Sequence, residues 1–475
     1  MIFSSLTFLF AYLPIVLAVY FIVPMSWRNL VLLLVSLFFY GWGEPVYITI
    51  MFVSIFIDYI HGILVEKHRQ NDKKARWFVV QSVVFNLLLL GFFKYGDFFA
   101  ENLFLLTGVD LPYSIDVLGM TVPLRGIPLP IGISFFTFQT MSYTIDVYRK
   151  DAPMQKNIIN FGAFVTMFPQ LIAGPIVKYK TVAEELNCRV HTSENFALGA
   201  RRFCVGLAKK VLLANSIGAL WEKCLSMQGS GALTVVSGWL GLLAFGFQIY
   251  FDFSGYSDMA IGLGRIFGFT FDENFNYPYT ADSVSDFWRR WHMSLTSWFR
   301  EYLYIPLGGN RGGTDKALRN ILVVWLCTGI WHGASWNFVL WGLYFALWLI
   351  LEKYVLRGIL RRSPAVLRHL YTLVVVFVGW GLFAMDDLSV CGSYLLSCFG
   401  GAPLWSALDG YLLRSYGATF VILMVACTQF GRNAWKHLPE KYERVLTPVL
   451  MILALVICTG YLVDGSYNPF LYFRF

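Results

Sequence analysis

Apolar residues fill long uninterrupted stretches of this chain, and polar residues gather in the short stretches between them. A run of about 20 apolar residues crosses a bilayer as a helix, because a helix rises about 1.5 Å per residue. The alternating segments of about 10 residues that build a transmembrane β-barrel are not seen. The pattern therefore predicts an all-α polytopic membrane protein with about ten transmembrane helices.

Ten stretches are predicted to cross fully. They are residues 6–23, 31–41, 46–64, 78–93, 130–147, 211–220, 233–253, 370–385, 418–429 and 449–462. No flexible linker or internal repeat interrupts the series, so we predict a single membrane-embedded domain over residues 1–475.

Two further apolar stretches are predicted to be broken or re-entrant. Residues 161–176 contain Pro169 and Gly174-Pro175, which exclude a continuous helix. Residues 321–351 form a run of 31 without a charge. As one helix this run would be about 46 Å long, well beyond the hydrocarbon core. We expect it to break at Gly333-Ala-Ser335, with Ser335 capping the second half.

Charge then sets the orientation. Only 14% of residues are charged, and the net charge of +8 comes from Lys and Arg in short loops such as 66–76. Basic loops mark the cytoplasmic side of a membrane protein, so we do not read the charge as a nucleic-acid site. The loop 97–126 carries four acids against one arginine and is predicted to be external. The resulting topology is multi-pass, with both termini outside the cytoplasm.

Residues 282–301 are predicted to form an amphipathic interfacial helix, begun by Asp282 and supported by an Asp286–Arg290 pair. One side carries Trp288, Trp291, His292, Leu295 and Phe299, and the other carries Arg289, Arg290, Ser297 and Arg300. Taken alone, His292 is either a site residue or an interfacial ring.

His332 lies inside the uncharged run. An ionisable side chain at membrane depth faces a cavity or a partner, and a dry site keeps an imidazole neutral. A neutral imidazole is the usual general base near neutral pH. The residue alone leaves two readings open, a general base or a structural histidine in a helix bundle.

Two other features favour structure over chemistry. Asp252 and Asp258 follow a long apolar stretch, and we interpret them as part of a polar network between packed helices. Eight scattered cysteines make no Cys-x-x-Cys spacing, so neither a disulfide framework nor a metal site is predicted.

Several motifs together resemble the membrane-bound O-acyltransferase family, in its bacterial, alginate O-acetyltransferase-like branch. Two contain the histidines, namely Trp288-Arg-Arg-Trp-His292-Met-Ser-Leu and Thr328-Gly-Ile-Trp-His332-Gly-Ala-Ser-Trp336. The others are Tyr302-Leu-Tyr-Ile-Pro-Leu-Gly-Gly-Asn-Arg-Gly312, Met1-Ile-Phe-Ser-Ser, Phe39-Tyr-Gly-Trp42, Pro130-Ile-Gly-Ile-Ser-Phe-Phe136 and Phe168-Pro-Gln-Leu-Ile-Ala-Gly-Pro175. The matches run from residue 1 to about residue 350.

The resemblance implies a ring of helices around a central tunnel in a bacterial plasma membrane. Through it an acetyl group would pass from a cytoplasmic thioester, either acetyl-CoA or an acyl carrier protein, to an extracellular or cell-wall polysaccharide. His332 and His292 are the implied catalytic pair. The implied donor-binding set is Trp291, Arg289, Arg290, Arg300, Trp331 and Asn337. No bound cofactor is expected.

The implied partners are the lipid bilayer, an extracytoplasmic protein that accepts the acyl group or modifies the polysaccharide, and a cytoplasmic carrier protein. D-alanine transfer to teichoic acid from a carrier-protein thioester is the nearest alternative. Lipid or protein O-acylation is a second, and a transporter without catalysis belongs to a different class. Inverted repeats typical of many transporters are not visible.

Overall fold

A computed structural model of the chain describes residues 1–117, 120–465, 468, 469 and 471. It divides into two compact units. Unit 1 comprises Met1–Phe196 and Gly264–Phe271, and unit 2 comprises Ala197–Leu263 and Asp272–Phe475. Nothing tests the prediction of a single domain, which stays a prediction, as do the ring and the tunnel.

Unit 1 is a bundle of helices with one small hairpin. Its longer helices are Leu13–Ile22, Arg28–Gly43, Ile48–Lys67, Asp72–Thr107, Ile133–Arg149 and Ile158–Thr166. Its short helices are Phe8–Tyr12, Met25–Trp27, Phe168–Leu171 and Tyr179–Val182. Strands Ser114–Val117 and Met120–Pro123 pair antiparallel, with Ser114 opposite Pro123. The sequence pattern did not predict this hairpin.

Unit 2 contains the remaining helices, except that Ser193–Ala208 begins in unit 1 and Val235–Ile266 ends in it. The longer ones are Ser193–Ala208, Asn215–Gly229, Val235–Ile266, Thr314–His332, Trp336–Leu351, Ala365–Ala384, Ala407–Ala426 and Glu440–Asp464. The shorter ones are Lys209–Ala214, Pro278–Thr280, Val284–Arg290, Met293–Phe299, Arg300–Tyr304, Glu352–Leu356, Arg357–Arg362, Leu388–Leu396, Ser397–Gly401 and Phe430–Lys436.

Membrane-spanning length is common among these helices. Within the described residues, nine helical segments are long and apolar enough to cross a bilayer, and two shorter apolar helices, Phe8–Ile22 and Leu388–Gly401, accompany them. This agrees with the predicted all-α polytopic class. The Leu388–Gly401 helix had not been predicted.

Both predicted breaks are confirmed. The helix Ile158–Thr166 ends at Met167, where ψ turns to 107°, and the chain resumes as the single turn Phe168–Leu171. The uncharged run divides into Thr314–His332 and Trp336–Leu351, which we call the 314–351 hairpin. One detail was wrong: Ser335 occupies the N-cap position, but its side chain makes no capping hydrogen bond.

One loop prediction was also wrong. The helix Asp72–Thr107 continues through Asp97, so the loop begins at Gly108 in the left-handed conformation. Phe98, Phe99 and the leucines after them continue the apolar pattern and outweigh the isolated acids. The basic stretch of residues 201–210 belongs to a long helical segment, Ser193–Gly229.

Small residues bring two helices of unit 2 into close contact. A Cβ added at Gly255 would lie 2.7 Å from the carbonyl oxygen of Gly206, and one at Gly262 would lie 2.6 Å from that of Gly199. Backbones approach this closely only where side chains are absent. The Val235–Ile266 helix is thereby held against Ser193–Ala208, and it carries Asp252 and Phe253 into the site described next.

Candidate active site

His332 is the last residue of the first helix of the 314–351 hairpin. It is 7% exposed, and its ring makes edge contacts with three aromatic rings. The centroid distances are 5.0 Å to Trp331, 5.0 Å to Trp341 and 5.2 Å to Phe383. The hairpin itself therefore builds most of the aromatic surroundings of this imidazole.

The turn that presents His332 depends on glycine. A Cβ at Gly333 would lie 2.1 Å from the Phe338 ring, and one at Gly329 would lie 2.3 Å from the Phe338 carbonyl oxygen. The backbone therefore packs against the Phe338 ring at Gly333 and against the Phe338 backbone at Gly329. Such close packing fixes where the histidine ring emerges.

A narrow cavity lies against His332. Its other lining residues are Ile249, Asp252, Phe253, Trp291, Trp341, Trp380, Phe383 and Leu471. The volume that the centre of a water molecule can occupy in this cavity is about 20 Å³. The cavity therefore has room for one water. The lining is mostly aromatic, so reactants here would be shielded from bulk solvent.

The one carboxylate of this lining belongs to a buried ion pair. Asp252 Oδ1 lies 2.7 Å from Lys210 Nζ, and both side chains are at most 3% exposed. Lys210 also donates to Asn215 Oδ1 at 2.9 Å and to the Pro469 carbonyl oxygen. The Leu471 N–H donates to Asp252 Oδ2 at 3.0 Å. Asp252 thus belongs to a packing network, as predicted.

The sequence pattern did not identify Lys210 as a buried residue. Lys210 ends the basic stretch 201–210, which by its charge is predicted to be cytoplasmic, and no local signal distinguishes this lysine from its neighbours. The other predicted acid of this region, Asp258, pairs with Arg202 at 2.8 Å and with Lys209 at 2.6 Å. Both acids therefore have cationic partners, as buried carboxylates require.

His292 lies at a break that the amphipathic pattern did not predict. The predicted helix 282–301 is divided into Val284–Arg290 and Met293–Phe299, and His292 between them has φ +44°. Its side chain is 2% exposed rather than interfacial. Burial lowers the pKa of His292 from 6.5 to about 3, so the ring is neutral at physiological pH.

The start of this segment also differs from the prediction. Ser283, not Asp282, caps the first helix by accepting from the Asp286 N–H at 3.1 Å. Asp282 pairs with Arg368 at 2.8 Å instead. The Asp286–Arg290 pair is confirmed at 2.8 Å, as expected for a local i,i+4 contact.

Trp331 brings the two histidines together. Its ring centroid lies 6.1 Å from that of His292 and 5.0 Å from that of His332. Phe253, which lines the cavity, lies 4.7 Å from the His292 ring. The two histidines therefore belong to one aromatic cluster, although forty positions separate them in sequence.

The predicted donor-binding residues divide into two groups. Trp291 lines the cavity and packs on Trp380 with centroids 4.6 Å apart. Asn337 is buried, and its amide Nδ2 donates to the Leu382 carbonyl oxygen at 3.3 Å. Neither contact tests a role in donor binding, which stays a prediction for both.

The arginines lie apart from the cavity lining. Arg289 and Arg300 are exposed, and Arg290 is half-buried against Asp286. None of the three is among the residues that line the cavity next to His332. Any contact between these arginines and a donor would therefore be made at the protein surface.

Comparison with known proteins adds to this geometry. The sequence model of the membrane-bound O-acyltransferase family matches residues 32–395. Because that match covers more than half of the chain, the chain belongs to this family. It is a membrane-embedded acyltransferase, and its multi-pass helices agree with that class.

Similar proteins define the class more narrowly. A probable alginate O-acetylase of Azotobacter vinelandii is 36% identical over 100% of both chains. A peptidoglycan O-acetyltransferase of Helicobacter pylori is 34% identical over 82% of this chain and 78% of its own. A teichoic acid D-alanyltransferase of Bacillus subtilis is 26% identical over 46% of this chain and 57% of its own.

Proposed function

We propose that this protein is a membrane O-acetyltransferase that transfers an acetyl group from a thioester to a polysaccharide of the cell exterior. The full-length similarity to an alginate O-acetylase supports this function. Similarity to a D-alanyltransferase covers less than half of the chain. Since the similar O-acetyltransferases are named for alginate and for peptidoglycan, the class of acceptor is a polysaccharide hydroxyl or a partner that relays the group to it.

The single observation that carries the mechanism is His332 in its aromatic cavity. As general base, its ring nitrogen takes the proton of the acceptor hydroxyl while the hydroxyl oxygen attacks the thioester carbonyl carbon. The tetrahedral intermediate then loses the thiolate, and the imidazolium returns the proton to that sulfur. The products are an acetyl ester and a free thiol, and the histidine is neutral again.

The aromatic lining would contribute in a second way. A thioester is hydrolysed if water reaches the site, and a cavity with room for one water limits that side reaction. Trp291, Trp341 and Trp380 are three of the residues that line this cavity. His292 is proposed to act on the donor side of Trp331, where its neutral ring accepts a hydrogen bond.

Donor and partner assignments rest on charge and orientation. The exposed Arg289 and Arg300 and the half-buried Arg290 are proposed to attract the phosphate groups of a pantetheine-bearing donor, either acetyl-CoA or a carrier protein. The basic loop 66–76 supports a cytoplasmic donor side, with both termini outside. The acceptor partner is then proposed to dock outside a bacterial inner membrane.

The experiment replaces His332 with alanine in detergent-purified enzyme. Acetyl transfer from a radiolabelled thioester to polysaccharide is followed, and the rate is normalised to folded protein. We expect a loss of about 10²–10⁴-fold, as for removal of a general base. The matched control is His437→Ala, because His437 is an exposed histidine of the same unit.

Two outcomes would contradict the proposal. Near-normal acetyl transfer by His332→Ala would remove the general base from the mechanism. Efficient use of a D-alanyl carrier-protein thioester, with no transfer from an acetyl donor, would instead assign the chain to D-alanylation.

A further inference from the structure

Asn274 contacts the His292 segment through both its side chain and its backbone. It is 1% exposed and precedes the short helix Pro278–Thr280. Its Oδ1 lies 3.1 Å from His292 Nδ1, and it accepts from Ser294 Oγ at 2.9 Å and from the Ser294 N–H at 3.3 Å. Its carbonyl oxygen accepts from the Met293 N–H at 2.9 Å. One asparagine therefore holds three consecutive residues.

The Ser294 N–H decides which end of the Asn274 amide faces His292. A peptide N–H donates and cannot accept, so the Asn274 atom that it meets is the oxygen rather than the nitrogen. The same oxygen faces His292 Nδ1. An oxygen without a hydrogen can only accept, so Nδ1 carries the proton of this hydrogen bond.

Ser294 is consistent with this assignment. Its hydroxyl donates to Asn274 Oδ1 and lies 3.4 Å from the same His292 nitrogen. With its own proton directed at Asn274, the serine oxygen can only accept from the ring. Both polar atoms near Nδ1 therefore favour a protonated Nδ1.

The backbone of His292 is unusual in the same place. Its φ of +44° is a left-handed conformation that residues with a side chain rarely adopt. Such conformations persist where the surrounding structure holds them, and they are frequent at functional sites. The hydrogen bonds from Met293 and Ser294 to Asn274 provide that support directly after the left-handed residue.

We propose that Asn274 is a positioning residue that fixes His292 as the Nδ1–H tautomer and so makes Nε2 the ring nitrogen that accepts a hydrogen bond. In a neutral imidazole one nitrogen donates and the other accepts, so a proton on Nδ1 makes Nε2 the acceptor. The depressed pKa of the buried ring keeps it in this neutral form at working pH. The role of Nε2 toward the substrate rests on the proposed function of His292, whereas the tautomer does not.

The tautomer can be measured without any activity. The full-length enzyme is labelled with ¹⁵N-histidine, and His292→Gln identifies the His292 signals in the solid-state NMR spectrum. We expect the Nδ1 signal in the protonated range and the Nε2 signal in the unprotonated range. The reverse pattern would overturn the inference, even if His292 proved essential for catalysis.

Two substitutions test the consequence for catalysis. Asn274→Leu has a similar size but no acceptor, and Asn274→Asp keeps an acceptor oxygen for Nδ1. We expect the leucine variant to lose at least about 10-fold in kcat per folded enzyme, because a wrong tautomer of a catalytic histidine costs up to about 10⁴-fold. The aspartate variant should retain activity within a few-fold. The acid limb of the pH–rate profile of this variant should move to higher pH, because a carboxylate raises the pKa of the adjacent imidazole.

The matched control is Asn320→Leu. Asn320 is an equally buried asparagine of the same unit, and its Nδ2 donates to the Gly309 carbonyl oxygen at 2.9 Å. The Asn320→Leu variant should lose folding stability without any change in the acid limb of its pH–rate profile. If Asn274→Leu and Asn274→Asp lower only the yield of folded protein, Asn274 is merely structural. If His292→Gln is fully active, the proposed role of His292 fails while the NMR result still decides the tautomer.

Discussion

Gly342 is the position where one added methyl group should separate His332 from its neighbours. A Cβ built on Gly342 lies 2.5 Å from the Trp325 carbonyl oxygen and 3.3 Å from Gly329 Cα, both on the facing helix of the 314–351 hairpin. Real Cβ contacts essentially never fall below 3.0 Å. The two helices must therefore separate by at least about 0.5 Å in Gly342→Ala, since well-packed interiors leave no slack.

The separation acts directly on the site. Trp341 precedes Gly342, and its ring contacts His332 at 5.0 Å. Gly329, on the facing helix, lies one turn before His332 in that same helix. A misplacement of about 1 Å costs about 10²-fold in rate, so about half of that distance should cost about 10-fold. Overpacking of this kind also destabilises by about 1–3 kcal/mol.

The assay compares Gly342→Ala with Gly358→Ala at equal amounts of folded enzyme. Gly358 lies in the Arg357–Arg362 helix, and a Cβ there meets nothing within 4 Å. The control should keep the wild-type rate and gain up to about 1 kcal/mol from helix propensity. Gly342→Ala should lower kcat about 10-fold or more, with a smaller effect on donor KM. A wild-type kcat in folded Gly342→Ala would refute the claim that this helix contact sets the position of His332.

Four further predictions follow from charge and burial. A cysteine placed at Asn71 should be labelled only from the cytoplasm, and one placed at Ser406 only from outside the cell. Labelling at position 71 from outside would show that the predicted orientation is reversed. Arg290→Gln should raise the KM for the donor, and the increase should be smaller in high salt. An unchanged KM would mean that Arg290 only forms its ion pair with Asp286 in the same helix. The pKa of His292 is 6.5 in the unfolded chain and about 3 in the folded protein, so the free energy of unfolding should fall as pH drops below 6.5. The loss should reach about 2 kcal/mol at about pH 5. In thermal melts, His292→Gln should reduce this dependence of the melting temperature on pH. Asp252→Asn should destabilise by about 3–5 kcal/mol, because its lysine partner would stay buried without a counter-charge, and an unchanged melting temperature would contradict this.

Much of the helical scheme was readable from the sequence, because the signals behind it are local. Apolar length defined the spans, prolines marked the break near Met167, and the Gly333-Ala-Ser335 turn marked the break after His332. The Asp286–Arg290 pair was predictable because residues four apart share a helix face. Both histidines were proposed as site residues from their sequence surroundings, and their catalytic roles stay a prediction.

Boundaries were less readable where apolar residues and charges conflict. The helix Asp72–Thr107 extends through acidic positions that had been assigned to a loop, and the segment 201–210 is helical despite its basic residues. A charge on a helix end needs only water or a partner nearby, so it does not by itself stop the helix. Sequence alone cannot say whether that partner exists.

The arrangement of the site was decided by tertiary structure. The break at His292 interrupts a sequence that has a continuous helical period. The side chain that supports this break belongs to Asn274, eighteen positions earlier. Trp331 joins the two histidines, and Lys210 neutralises Asp252 across a helix contact. These contacts join residues far apart in the chain, so they depend on how helices pack rather than on local periodicity. The sequence by itself determined which residues could do chemistry in a membrane, and packing determined which of them meet.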